Sequence, residues 1–135
     1  MKRCCFTLVT VGLLLFTGCS ASDNPRPGPV TDAQEILGTW EKSGQYIRYN
    51  DDGTFLYSDS LEGLGARPLA TGEFWFEEGR YLQNEIEVRD IPPCGSTPGM
   101  YEVALLENGN LMFTEVEDEC RPRASAIPGV YRRVG

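Results

Sequence analysis

From Ile36 onward the chain is a run of short β-type stretches cut apart by turn residues, and this punctuation is its strongest structural constraint. The stretches fall at about 36–42, 45–50, 54–60, 70–77, 80–89, 100–107, 110–117 and 129–134, and are rich in Trp, Tyr, Phe, Ile and Val. Asn50-Asp51-Asp52-Gly53, Glu78-Gly79 and Asn108-Gly109 separate them, each with a Gly free to take positive φ in a tight hairpin. Only Thr31 to Leu37 has a helical start signal, a capping residue followed by Gln or Glu.

Alternation runs through the stretches. Leu82, Asn84, Ile86 and Val88 share one side, with Tyr81, Gln83, Glu85, Glu87 and Arg89 on the other. Phe74 and Phe76 oppose Glu73, Trp75 and Glu77, and Tyr101, Val103 and Leu105 oppose Glu102 and Ala104. Such patterning describes antiparallel strands with one dry and one wet face. Eight strands linked in sequence close most economically into an up-and-down barrel, which leaves no free edge. The expected class is therefore all-β, an eight-stranded antiparallel up-and-down barrel over residues 31–135. The alternative is a two-sheet β-sandwich, for which residues 61–69, 90–99 and 119–128 are long enough to cross.

Composition narrows the chemistry. The 135 residues include no His, which removes the commonest general base and zinc ligand. Twelve basic against twenty acidic residues give −8, a charge that repels a phosphate backbone, so no nucleic-acid partner is expected. No phosphate-binding loop follows a strand, and Ser or Cys nucleophiles lack their usual base. Neither enzyme activity nor a cofactor is expected. The acids at Glu115, Glu117, Asp118 and Glu119 lack the Gly-punctuated loop of a calcium site and read as a solvated strand end, so no metal is expected.

The N-terminus reads as an address. Lys2 and Arg3 precede a short apolar run, Phe6 to Phe16, too short to span a bilayer. The run ends in Leu15-Phe16-Thr17-Gly18-Cys19, which resembles the lipobox of bacterial lipoproteins, with Phe16 departing from the Leu usual there. The resemblance implies a signal peptide over 1–18 and lipid on Cys19; the other reading is an ordinary cleaved secretory peptide. It implies a cell-envelope location, and Ser20 after the Cys permits transfer to the outer membrane. Residues 19–30, with three Pro and a Gly between Ser20 and Val30, read as a tether that forms neither helix nor central strand. Once Cys4, Cys5 and Cys19 are assigned, Cys94 and Cys120 remain, and an oxidising compartment makes them a disulfide. Two free thiols are the alternative, without a Cys-x-x-Cys pair to support them. Removal of Lys2 and Arg3 would leave Lys42 as the only Lys.

Leu37-Gly38-Thr39-Trp40 opens the first strand. Gly-x-Trp there, with about seven further strands and a basic residue on the last, resembles the lipocalin and calycin superfamily. Residues 46–55, Gly72-Glu73-Phe74-Trp75-Phe76, Pro93-Cys94-Gly95 and Tyr101-Glu102-Val103 resemble the small bacterial lipocalin-like domain proteins. The resemblance implies Trp40 as a plug at the narrow end of the barrel, under Arg132 or Arg133. The aromatics Tyr49, Phe55, Tyr57, Phe74, Phe76, Tyr101 and Phe113 fall on inward positions and either fill the core or line a small apolar pocket. Arg48 either anchors a ligand carboxylate at the mouth or pairs with a cross-strand Glu.

Two roles follow. The first is a membrane-anchored barrel that binds a small apolar or amphipathic ligand, drawing on Tyr49, Tyr57, Phe74, Phe76, Tyr101 and Phe113. The second is an envelope interaction or inhibitor protein, which meets a protein partner through the loops braced by Cys94 and Cys120. The rigid, Pro-rich loop 90–99 is then the active part.

Overall fold

The computed structural model describes residues 26–135. Residues 1–18, read above as a signal peptide, Cys19 and most of the segment read as a tether lie outside the described residues. The elements are β1 (Gly28–Val30), a 3₁₀ turn (Ala33–Ile36), β2 (Gly38–Lys42), β3 (Gln45–Tyr49), β4 (Thr54–Ser58), α1 (Leu61–Ala66), β5 (Ala70–Glu77), β6 (Arg80–Val88), β7 (Gly99–Leu105), β8 (Leu111–Glu117), α2 (Arg121–Ala126) and β9 (Gly129–Val134).

Strands β2 to β9 pair antiparallel in chain order, and β9 returns to β2 through Thr39–Val134, Trp40–Arg133 and Glu41–Arg132. The sheet is a closed eight-stranded barrel, and the sandwich is excluded. The three long connections do not cross between sheets. They follow β4, β6 and β8 and gather at one end of the barrel, beside the tight Ser43-Gly44 turn. The opposite end carries the short turns after β3, β5 and β7, together with the 3₁₀ turn. Two of the two-residue loops have both central residues at positive φ: Ser43 at 52° with Gly44 at 80°, and Glu78 at 50° with Gly79 at 75°. This turn matches the right-handed twist of the strands it joins.

The end of the segment read as a tether forms a strand. Residues Gly28–Val30 pair with Leu105, Ala104 and Val103 of β7. Strand β6 pairs with β7 only at Tyr81–Tyr101, Leu82–Met100 and Gln83–Gly99, so β1 takes the part of the β7 edge that β6 leaves free. Pro29 is tolerated because β1 has a neighbour on one side only. Val30 is buried in the core. The 3₁₀ turn has a capping box: Asp32 accepts from Gln34 N at 2.8 Å, and Glu35 Oε1 accepts from the Asp32 backbone at 3.2 Å.

Alternation in β6 left open which face looks inward. Tyr81, Gln83 and Glu85 take the interior side; Tyr81 and Gln83 are buried, while Ile86 is 64% exposed. Opposite Ile86 the ladder slips, because Gly72 pairs with Glu85 and Thr71 with Glu87. Ile86 is the extra residue of a β-bulge, and the bulge restores Val88 to the inside. Gly72 is required at this point: a Cβ there would lie 2.1 Å from Asn84 O and 2.6 Å from the Phe55 ring.

The barrel interior is largely aromatic. Tyr81 packs edge-on against Phe113 at 5.2 Å between centroids and against Tyr49 at 5.9 Å, while Tyr49 meets Phe74 at 4.8 Å. Phe113 reaches on to Tyr131 at 5.2 Å. Each pair adds about 0.5–1.5 kcal/mol to the burial of its rings. Tyr49, Tyr81 and Tyr131 are held protonated well beyond the usual tyrosine range, chiefly by burial.

Candidate functional site

The two ends of the barrel are closed by different means. At the end with the short turns, Trp40 is fully buried, and its Nε1 donates to Ile36 O at 2.7 Å. The guanidinium of Arg133 lies 4.3 Å from the Trp40 ring centroid, and its Nη1 donates to Leu37 O at 3.0 Å. Strand parity separates the two arginines. Arg133 stands opposite Trp40 on the inner side, whereas Arg132 stands opposite Glu41 and bonds its Oε2 at 2.5 Å on the outer side. Arg132 therefore does not touch the plug.

At the other end, α2 and the loop 89–98 cover a cavity of about 190 Å3. Cys94 and Cys120 are disulfide-bonded, across 5.3 Å between Cα atoms, and join that loop to the N-cap position of α2. Lys42 fixes the other end of α2. Its Nζ donates to Ala126 O and to Pro128 O, the latter at 2.9 Å, and it lies 5.1 Å from the Tyr131 ring centroid. A cation on the last carbonyls of a helix offsets their unpaired lone pairs. Burial lowers the Lys42 pKa from its ordinary value, but the ammonium is committed to this cap.

Most of the cavity wall is apolar, with Ile47, Phe55, Tyr57, Val88 and Ile127 among its residues. One side is polar and built from Gln83, Glu85 and Arg123. Arg123 projects from α2 into the seam where β6 has left β7. Its Nη1 donates to Glu85 Oε2 at 2.6 Å, and Nε and Nη2 hold Asp118 in a fork at 2.7 and 2.8 Å. A fourth bond runs from Nη2 to Thr97 O at 2.8 Å and ties in the loop. The arginine side chain is 2% exposed and that of Asp118 is fully covered. Tyr101 OH also donates to Asp118, and Cys120 N donates to it at 2.9 Å. Burial works to raise the Asp118 pKa, but hydrogen bonds from Arg123, Tyr101 and Cys120 N outweigh it and leave the carboxyl below its ordinary value. Burial alone would lower the Arg123 pKa; Asp118 and Glu85 raise it instead.

The polar chain continues inward. Gln83 Nε2 donates to Glu85 Oε1 at 3.1 Å, Tyr81 OH to Gln83 Oε1 at 2.7 Å, and the Tyr81 and Tyr49 hydroxyls meet at 3.2 Å. Gly99 is needed where this cluster is tightest, since a Cβ there would lie 2.4 Å from Asp118 Oδ2.

The aromatics singled out from the sequence divide between two places. Tyr49, Phe74, Tyr101 and Phe113 are packed in the core, and Phe76 lies against it, 5.7 Å from Tyr81. Tyr57, together with Phe55, borders the cavity. Arg48 does neither of the things expected of it: its Nε donates to Thr39 Oγ1, its cross-strand partner, at 3.0 Å. Asp118 is not part of a solvated run, because Arg123 holds it inside, while Glu115, Glu117 and Glu119 stay exposed. Among the described residues no group of His, Cys, Asp or Glu is placed to hold a metal ion. The Asp52 carboxylate serves its turn, accepting from Thr54 N at 2.9 Å and Thr54 Oγ1 at 2.6 Å.

Fold and site together define a closed antiparallel barrel with a capped, mainly apolar cavity and one buried ionic cluster in its wall. No family model matches the chain, and no curated protein or solved structure matches it.

Proposed function

We propose that this is a lipid-anchored envelope protein whose barrel binds a small apolar or amphipathic molecule. The observation that carries the reading is the cavity beneath α2, about 190 Å3 with a mostly apolar wall and a few converging polar groups. That combination is typical of small-molecule sites. The lipobox-like Cys19 supports the anchor, and the oxidised Cys94–Cys120 pair suits an exported protein. With no His in the sequence, and Arg123, Asp118 and Lys42 committed to structural bonds, a binding role is favoured over catalysis.

Native mass spectrometry of the exported Cys19→Ser protein tests this reading. Mass that disappears on denaturation is the expected result. A core that carries no such mass, and whose cavity side chains show no response to xenon or toluene, would end it.

A second reading rests on the loop 89–98. Pro92 and Pro93 are exposed on a segment fixed by a disulfide, which lowers the entropy lost on binding a protein partner. The partner would be an envelope protein or a foreign one that is inhibited. Replacing Pro93 and Arg121, neither of which lines the cavity, should then abolish capture of that partner and leave small-molecule binding intact.

A further inference from the structure

The ionic cluster in the cavity wall is one cation short. Arg123 is its only base, and it serves both Glu85 and Asp118. Asp118 is shut off from the cavity by Arg123, Tyr101 and Cys120 N. Glu85 is different. It lines the cavity, and each of its oxygens accepts a single bond, Oε1 from Gln83 and Oε2 from Arg123. A carboxylate has room for about four such bonds. Both oxygens thus keep acceptor capacity at the edge of an apolar space, in a cluster of net charge −1.

Size restricts the occupant as much as charge does. An apolar cavity of about 150 Å3 holds benzene, and this one is about 190 Å3. A single ring or a short branched chain, with one or two further heavy atoms, fills it.

We propose that the occupant is a small primary amine with a compact apolar body, its ammonium on Glu85 and its body against Ile47, Phe55 and Ile127. The inference rests on the binding reading above and specifies its ligand class. An ammonium donates to the free Glu85 lone pairs and brings the wall to neutrality. A carboxylate of the same size would place a third acid beside one guanidinium, with a single Arg123 N–H left to receive it.

The test is titration of the purified protein with benzylamine, toluene and benzoate, read by the methyl resonances of Ile47 and Ile127. Benzylamine should bind at least about tenfold more tightly than toluene, the gain expected of one charge-assisted hydrogen bond. Benzoate should bind more weakly than either. In Glu85→Gln the preference for benzylamine should vanish while toluene still binds. If toluene matches benzylamine in the unaltered protein, or benzoate exceeds it, the amine assignment is overturned and the cavity reading stands. If none of the three moves either resonance, both fall. The comparison in the unaltered protein decides the matter even if the variant does not fold.

Discussion

The two ends of this barrel solve the same problem with different materials. One is closed by local structure. A four-residue 3₁₀ turn brings Ile36 and Leu37 under Trp40, and Arg133 covers the ring from the neighbouring strand. The other is closed by long-range bonds. A disulfide, a lysine cap and a forked arginine hold α2 and a loop over the barrel mouth, and the closure leaves space beneath. Close packing is cheapest where the chain has short connections to place. A cavity survives where separate segments are held apart by directed polar bonds.

Alkaline pH should give the largest effect and show whether the ends depend on a shared centre. Tyr49, Tyr81 and Tyr131 have pKa values raised by burial, and Tyr81 links Tyr49 to the Gln83 side of the cavity. A raised folded-state value means that the unfolded chain loses protons first. The stability they provide is full below about pH 10 and is lost above it, by up to about 4 kcal/mol per pH unit for three groups. Circular dichroism should therefore show steep unfolding above pH 10, with Trp40 fluorescence and cavity binding lost together. Separate transitions would mean that the ends are independent.

Arg123→Met comes next. It strands Glu85 and Asp118 without their cation, at a cost of about 3–5 kcal/mol in urea unfolding at neutral pH. Adding Glu85→Gln and Asp118→Asn should recover most of that loss. If the single variant is as stable as the parent, the cluster does not hold the mouth. Removal of the disulfide by Cys94→Ser with Cys120→Ser should cost about 3 kcal/mol, given the 26-residue separation. Hydrogen exchange should then quicken at α2 and the 89–98 loop while the Trp40 end keeps its protection; uniform quickening would contradict the division. The smallest effect is expected of Arg133→Met, about 1 kcal/mol for a partly exposed cation–π contact and its hydrogen bond. It should shift Trp emission without changing ligand affinity at the far end.

The same division explains what could be read from the sequence. The strands were legible because alternation and turn chemistry are local: Glu78-Gly79 specifies its own hairpin whatever surrounds it. The plug was legible through Gly38-x-Trp40, although only the register shows that Arg133, not Arg132, lies over it. The mouth was not. Helices α1 and α2 have six residues each, too few to establish a helical period, and α1 buries only Leu64. Arg123 reads as an ordinary surface charge in Cys-Arg-Pro-Arg-Ala, because its partners Glu85 and Thr97 lie 38 and 26 residues away. The bulge at Ile86 reverses parity within one strand, so the inward set Tyr81, Gln83 and Glu85 cannot be taken from hydrophobicity. The strand made by Gly28-Pro29-Val30 was also hidden, since its composition is that of a linker and its pairing depends on where β6 begins.

That small strand sets how the molecule can be held. It runs against β7 from Leu105 towards Val103, so residues before Gly28 leave from the Trp40 end. A grip on the N-terminal segment therefore leaves the α2 end pointing away from the point of attachment. Whatever takes hold of the segment before Gly28 meets the Trp40 end first, and the end covered by α2 stays turned towards the surroundings.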